Sequence, residues 1–268
     1  MALAVRFRSV VALVGTYPVL AGADLDVAGG DVVLLRGANG AGKTSLLRAC
    51  AGLLAVSAGE AEVLGTDLFG DPRKLRRRVG LLGHATGLYD DLTVEDNVAF
   101  AVRAAGGRGA AVGPALDRLG LGGRLATVAV RRLSAGQRRR TALAVLVARD
   151  PELWLLDEPH AGLDAEHRDL LDGVVRDAAS RGATVVFASH EAERAATLAR
   201  RSVTVTGGAV VGGVLDAPPA GTGPSDTPVP AGTVSPTVAP AASFPSAASA
   251  DPEAVPFPSA DPEAVHVA

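Results

Sequence analysis

The sequence predicts an α/β domain built on a largely parallel sheet buried on both faces, with a helical segment inserted into it and a tail that does not fold. Three observations predict this. Short runs that are apolar almost throughout alternate with helix-like stretches, as strands do when crossover helices cover both faces of their sheet. One such run leads directly into GANGAGKT, Gly37 to Thr44, which fits the phosphate-binding pattern G-x-x-x-x-G-K-[ST] and lies after a strand and before a helix, as that pattern requires. From about Ala217 onward the residues are mainly Pro, Ala, Ser, Thr and Val with no Lys or Arg, too little apolar bulk to offset the entropy of folding.

In chain order, the first buried strand is DVVLLRG (Asp31 to Gly37), and TSLLRACAGLL after the glycine-rich loop reads as a helix. RVGLLG (Arg78 to Gly83), PELWLLDE (Pro151 to Glu158) and ATVVFAS (Ala183 to Ser189) supply further strands, with a helical segment reaching about Ser180. Trp154 lies inside one of these runs and is assigned to the core. Between about Thr93 and Arg149 the pattern changes to helices and Gly-rich turns, which predicts an inserted helical subdomain over about 93–149. The whole folded domain is expected over 1–216 and a disordered tail over 217–268. The tail carries SADPEAV twice, from Ser249 and from Ser259, too few copies to stack into a repeat core.

Charge and composition exclude several classes. The net charge of −3 divides unevenly, because the tail holds five acidic residues and no basic ones, leaving +2 for the preceding 216 residues. A domain this close to neutral has no nucleic-acid footprint. Cys50 is the only cysteine and is read as a small buried side chain. The opening MALAVRFRSV places Arg6 and Arg8 where a signal peptide would need apolar residues, and no run approaches a membrane span in length. The chain is expected on the cytoplasmic side, so work on a membrane requires a partner. With Lys43 and Lys74 the only lysines against 24 arginines, the lysine inside GANGAGKT is the more telling.

The chemistry starts from that loop. Gly37, Gly40 and Gly42 let the backbone of Gly37, Ala38, Asn39, Gly40, Ala41 and Gly42 wrap so that successive N–H groups face a phosphate, and the following helix adds the positive end of its dipole. Lys43 neutralises phosphate oxygens, the Thr44 hydroxyl is a ligand for Mg²⁺, and Ser45 completes the cradle. A phosphate site of this kind needs a second acidic group for the metal, and WLLDE supplies it. Asp157 ends the strand as the metal carboxylate, and Glu158 beside it can polarise the attacking water. The expected ligands are therefore a nucleotide carrying β- and γ-phosphates, together with Mg²⁺; that the nucleotide is ATP is what the resemblance described next implies.

The stretch RRLSAGQRRR, Arg131 to Arg140, carries a family resemblance. Leu133 to Gln137, LSAGQ, resembles the signature motif of ATP-binding cassette (ABC) ATPases. AGLD, Ala161 to Asp164, is similar to their D-loop, and His190, which follows ATVVFAS, stands in the position of their switch histidine. The resemblance spans Ala2 to Gly213 and implies an N-terminal antiparallel β subdomain. It also implies a homodimer that sandwiches two ATP molecules, with Ser134, Gly136 and Gln137 of one copy on the γ-phosphate held by the other. Asp164 is carried to the dimer interface, and His190 to the γ-phosphate alongside Glu158. Arg138 to Arg140 fall on successive helix faces and are expected to be mainly solvated, with one steadying the dimer; His160 and His167 are likewise expected in solvent.

Departures from the family pattern narrow the reading. His84 stands where most members carry a glutamine that reaches Mg²⁺; a neutral imidazole can ligate a metal, a protonated one repels it. Val145 replaces a usual arginine, and Val14, not Tyr17, falls where the adenine-stacking ring is expected. GH before the segment ATGLYDD, LSAGQRRR and LWLLDEP together resemble the ATP-binding subunits of the haem exporters of cytochrome c biogenesis. The resemblance implies a separate membrane permease, docked near His84 to Asp91. Drug, lipid and polysaccharide exporters stay open as cargo classes, as does a soluble ABC ATPase, which usually pairs two cassettes in one chain.

Overall fold

A computed structural model of the protein describes residues 2–213; the tail assigned to 217–268, with its two repeats, lies outside the described residues. Strands β1 (Leu3–Val14) and β2 (Tyr17–Ala28) form a hairpin closed by a two-residue turn, where Gly15 takes φ 61°. There follow β3 (Val32–Arg36), α1 (Lys43–Cys50), β4 (Val56–Val63), β5 (Thr66–Asp67) and β6 (Val79–Leu82). Helices α2 (Val94–Ala104), α3 (Val112–Arg118) and α4 (Ala135–Arg149) come next. The chain closes with β7 (Leu153–Asp157), α5 (Ala165–Ser180), β8 (Thr184–Ala188), α6 (Ala192–Leu198), β9 (Arg201–Thr206) and β10 (Ala209–Val211).

Two sheets result. β2-β1-β4-β5 is antiparallel throughout, the β subdomain that the family resemblance implies. The second sheet, β10-β9-β3-β8-β7-β6, is parallel except for its terminal β9–β10 hairpin.

Period-two alternation explains why the central strands are apolar at every position. Val32 and Leu34 of β3, Trp154 and Leu156 of β7, and Val185 and Phe187 of β8 face one core, which the helices α2 to α5 complete. Their neighbours Val33, Leu35, Leu153, Leu155 and Val186 face the other, shared with α1 and the β1–β2 hairpin. Trp154 is fully buried, its indole N–H donating to the Pro151 carbonyl at 3.0 Å, as the sequence predicts. Cys50 is also fully buried, and burial pushes its thiol up to about 12.

From Thr93 to Arg149 the described chain consists of helices, single 3₁₀ turns and the loops between them, with one isolated bridge between Thr93 and Ala129. Thr93 caps α2, its hydroxyl accepting the Asp96 N–H at 3.1 Å. No helix among the described residues is long and apolar enough to cross a membrane. The parallel strands β3, β7 and β8 end at one edge of the sheet, and the loops that leave them carry the polar residues described next.

Candidate active site

The loop between β3 and α1 is shaped by glycine. Gly37 takes φ 144°, and a Cβ there would lie 2.2 Å from the Val205 carbonyl oxygen of β9. Gly42, at φ 108°, precedes α1 without a side-chain cap, and no acidic residue stands in the first turn. The helix therefore presents open N–H groups and an uncancelled positive dipole end to the cleft. Lys43 is buried and its ammonium donates to the carbonyls of Gly37 at 2.8 Å and Ala38 at 3.0 Å, so the positive charge is held over the loop.

The acidic half of the site comes from the end of β7. Thr44 Oγ1 donates to Asp157 Oδ2 at 2.7 Å, joining the two motifs across 113 residues of chain. Glu158 continues the ladder, its N–H donating to the Ala188 carbonyl at 2.9 Å, but its φ of 48° is left-handed, a conformation costing a non-glycine residue about 1–3 kcal/mol. That turn swings its carboxylate toward His190. The His190 N–H donates to Glu158 Oε2 at 3.0 Å, and the ring Nε2 lies 3.1 Å from Oε1.

Asn39, Gly40, Gly42, Lys43, Thr44, Ser45, His84, Asp157, Glu158 and His190 all line one cleft of about 440 Å³. Gly37, Ala38 and Ala41 support it from behind: the first two hold Lys43, and the Ala41 carbonyl accepts the Gly208 N–H at 2.9 Å. The paired hydroxyl and carboxylate of Thr44 and Asp157 are hard oxygen donors, the set that suits Mg²⁺ shared with phosphates. His84 shares the cleft, but its imidazole is a donor better suited to softer metals.

Tyr17 and the Gly207–Gly208 turn also line this cleft, and neither was predicted. The Tyr17 ring is 73% exposed at its mouth, whereas Val14 sits across the hairpin from Tyr17 and is not among the lining residues. The displaced position of the ring in the sequence hid it; the turn, coming after β9, had no motif to mark it.

Ser134, Gly136, Gln137 and Asp164 lie apart from that cleft, together in a shallower one with His167. Ser134 caps α4 in a capping box: its Oγ accepts the Gln137 N–H at 3.2 Å, and its own N–H donates to Gln137 Oε1 at 2.9 Å. That leaves the Ser134 hydroxyl proton, at an exposed helix start, to donate outward. Gly136 passes the D-loop closely, for a Cβ there would stand 3.1 Å from the Gly162 carbonyl. Asp164 caps α5 by accepting the His167 N–H at 2.9 Å, and this bond, with that from the His167 ring at 2.6 Å, holds its carboxyl below the usual carboxylate range.

Three expectations of solvation are corrected. Arg139 is buried and donates to main-chain carbonyls at the end of β7, while Arg138 pairs with Asp90 at 2.6 Å and Arg140 donates to the Leu119 carbonyl at 2.8 Å. His160 is buried, its Nε2 2.8 Å from Asp172 Oδ1. His167 is half-buried against Asp164. The burial of Arg139 was legible, since Arg139, Ala142, Leu143 and Leu146 share the buried face of α4 at helical spacing. The packing of His160 depends on α5 and has no local signal.

A glycine-rich phosphate loop, a strand-end carboxylate pair with a facing histidine, and a helix-capping LSAGQ define a P-loop ATPase of the cassette type. Residues 20–161 match the ABC transporter family. The chain is 42% identical over 170 residues to the cytochrome c biogenesis ATP-binding export protein CcmA of Bordetella bronchiseptica, covering 62% of this chain and 75% of that protein. It is 42% identical over 183 residues to the CcmA of Cupriavidus pinatubonensis, covering 66% and 78%. An ATP-binding subunit of an ABC transporter superposes with a TM-score of 0.73 at 24% identity, over 78% of this chain and 88% of that one. A dimeric cassette in a post-hydrolysis state, bound to ADP and Pi, superposes with a TM-score of 0.71 at 23% identity, over 77% and 96%. These structural likenesses establish the fold. The chain belongs to the ABC transporter family, as one of its ATP-binding, ATP-hydrolysing subunits.

Proposed function

We propose that two copies of this chain form a homodimer that binds two ATP molecules and drives export through a separate membrane permease, with haem for cytochrome c biogenesis as the cargo. The observation that carries the catalytic part is the double contact of Glu158 with His190 in the cleft that also holds Lys43, Thr44 and Asp157. The cargo assignment rests on relatives named as cytochrome c biogenesis ATP-binding export proteins.

In this reading phosphoryl transfer depends on positioning and charge neutralisation more than on covalent chemistry. The N–H groups of Gly37 to Thr44 and the Lys43 ammonium hold the β- and γ-phosphates. Ser45 supports that cradle, and the exposed Tyr17 ring offers a stacking platform for the base. Thr44 and Asp157 hold Mg²⁺, with His84 at the cleft wall; when bound, the ion neutralises charge on the phosphate oxygens. Glu158 accepts a proton from the attacking water as the water oxygen bonds to the γ-phosphorus, and the bond to the bridging oxygen breaks with its electrons retained by ADP. His190 fixes Glu158 and faces the γ-phosphate. From the second copy, Ser134, Gly136 and Gln137 close over that phosphate, and Asp164 stands at the interface.

The permease fits a groove of about 210 Å³ beside the His84–Asp91 segment, lined by Leu88, Tyr89, Phe100 and Val145. Tyr89 and Phe100 pack edge to face with centroids 5.2 Å apart while staying about half exposed, and Val145 adds an aliphatic side chain to a lining that also includes Asn97 and Arg149. The surface therefore suits an amphipathic helix end of a partner. Peripheral attachment to the cytoplasmic face of the membrane follows from that docking.

The test is to purify tagged Glu158→Gln protein from its native cell in detergent with ATP and identify what accompanies it. A permease together with cytochrome c maturation proteins or haem is the expected result. A permease without either reassigns the cargo, and an assembly free of membrane protein overturns the transport role.

A further inference from the structure

Arg139 is the least expected side chain near the site. Its guanidinium is buried, only 6% of the residue being exposed, and burial pulls it below the usual arginine value. Its hydrogen bonds run to main-chain carbonyls of two separate segments: Gly83 at 2.6 Å, Asp157 and Glu158 at 2.7 Å each, and Pro159 at 3.5 Å. Gly83 precedes His84; Asp157 and Glu158 are the strand-end carboxylate pair. The same arginine is rooted in α4, the helix that Ser134 caps. One planar, rigid fork thus joins three functional segments that are far apart in sequence, which the single point charge of a lysine does less well.

The backbone it grips is strained. Glu158 holds φ 48° while its carbonyl and that of Asp157 converge on the same guanidinium nitrogen. Without that clamp only two main-chain bonds hold the turn, from the Glu158 N–H to the Ala188 carbonyl at 2.9 Å and from the Ala161 N–H to the Glu158 carbonyl at 3.1 Å; relaxation to a right-handed conformation would carry the carboxylate away from the N–H and ring of His190. We propose that Arg139 is a positioning residue for hydrolysis: it holds Glu158 in its working conformation and ties that conformation to the seating of the α4 helix. In the dimer, the Ser134 end of α4 lies on the nucleotide held by the other copy, so Arg139 makes the hydrolytic geometry of one site depend on occupancy of its neighbour. The proposal rests on the reading of Glu158 and Ser134 given above.

The test uses the full chain and four variants: R139Q, R139K, S134A and the S134A/R139Q double, with fluorescent ATP-analogue titration for affinity and steady-state turnover for kcat. Displacement of a catalytic group by about 1 Å can cost on the order of 100-fold. R139Q is therefore expected to fold, to bind nucleotide within about threefold of the parent, and to lose roughly 10- to 100-fold in kcat, with R139K between the two; a kcat loss without an affinity loss marks an interaction made in the transition state. Because both residues act through one helix, the double variant is expected within about threefold of the slower single variant, a non-additivity that independent sites do not show. The proposal is overturned if R139Q keeps kcat within threefold, if affinity and kcat fall in step, if the two losses multiply, or if neither Arg139 variant folds. An E158Q control keeps the underlying reading separable: full turnover in E158Q removes that reading, whereas an inactive E158Q beside an active R139Q removes this proposal alone.

Discussion

His190 meets Glu158 at two points: its main-chain N–H donates to Oε2 at 3.0 Å and its ring Nε2 stands 3.1 Å from Oε1. The carboxylate is thereby oriented at the end of β7 through Oε2, while Oε1 is buried with no hydrogen-bond partner of its own among the described residues. Glu158→Gln keeps an acceptor oxygen for the His190 N–H but cannot take a proton. Steady-state assays are expected to show turnover falling by about 100- to 10,000-fold while nucleotide titration shows affinity retained. Undiminished turnover would remove Glu158 from its role.

His84 lines the cleft that holds Thr44 and Asp157. An imidazole suits softer metals than Mg²⁺, whereas an amide oxygen is a hard donor. His84→Gln should therefore reach half-maximal turnover at a lower Mg²⁺ concentration than the parent chain. Superimposable Mg²⁺ titrations would place His84 outside the metal environment.

Gly37→Ala tests the loop itself. The added methyl would meet the Val205 carbonyl at 2.2 Å, on a backbone whose φ of 144° an L side chain rarely adopts. The loop must shift, at about 1–3 kcal/mol or more. The expected outcome is a lower thermal midpoint together with lost nucleotide binding, because the Gly37 carbonyl also holds the Lys43 ammonium at 2.8 Å. Binding at the parent affinity would show that the loop can absorb the methyl.

Arg78 and Glu152 tie the starts of β6 and β7 together with bonds of 2.6 and 2.8 Å. The arginine holds the Glu152 carboxyl below the usual carboxylate range. A depressed folded-state value means that the pair contributes above about pH 4.3, the ordinary glutamate value, and that the contribution fades as pH falls through the lower folded value. Both side chains are partly exposed, so Glu152→Gln is expected to cost at most about 1 kcal/mol at pH 7. Denaturant titrations of the two proteins should converge as the pH is lowered through that folded value; a difference unchanged by pH would refute the ion pair.

The legible parts of the fold and site were those encoded by local pattern. Each of the four apolar runs became a parallel strand, because a strand buried on both faces needs apolar residues at every position, and residues such as Leu153 and Trp154 feed opposite cores. The phosphate loop was legible because glycine spacing and the adjacent lysine are chemical requirements of the same short segment. Arg139, His160 and Tyr17 were misplaced for a different reason. A guanidinium satisfied by carbonyls of residues 83 and 157–159, an imidazole paired through Nε2 with Asp172, and a ring brought to the cleft by a hairpin all depend on chain that is distant in sequence. Only Arg139 left a trace, in its helical spacing from Leu143 and Leu146.

Ser134, Gly136 and Asp164 line a cleft separate from the one that holds Lys43 and Thr44 of their own chain, and a use for them in hydrolysis requires a second copy. The most direct measurement of that claim is the mass of purified Glu158→Gln protein by light scattering after gel filtration, with and without ATP and Mg²⁺. A dimer that forms only with ATP, and that Ser134→Arg abolishes by placing bulk at the α4 cap, is the predicted result. A particle that remains monomeric at saturating ATP would contradict the shared-site account.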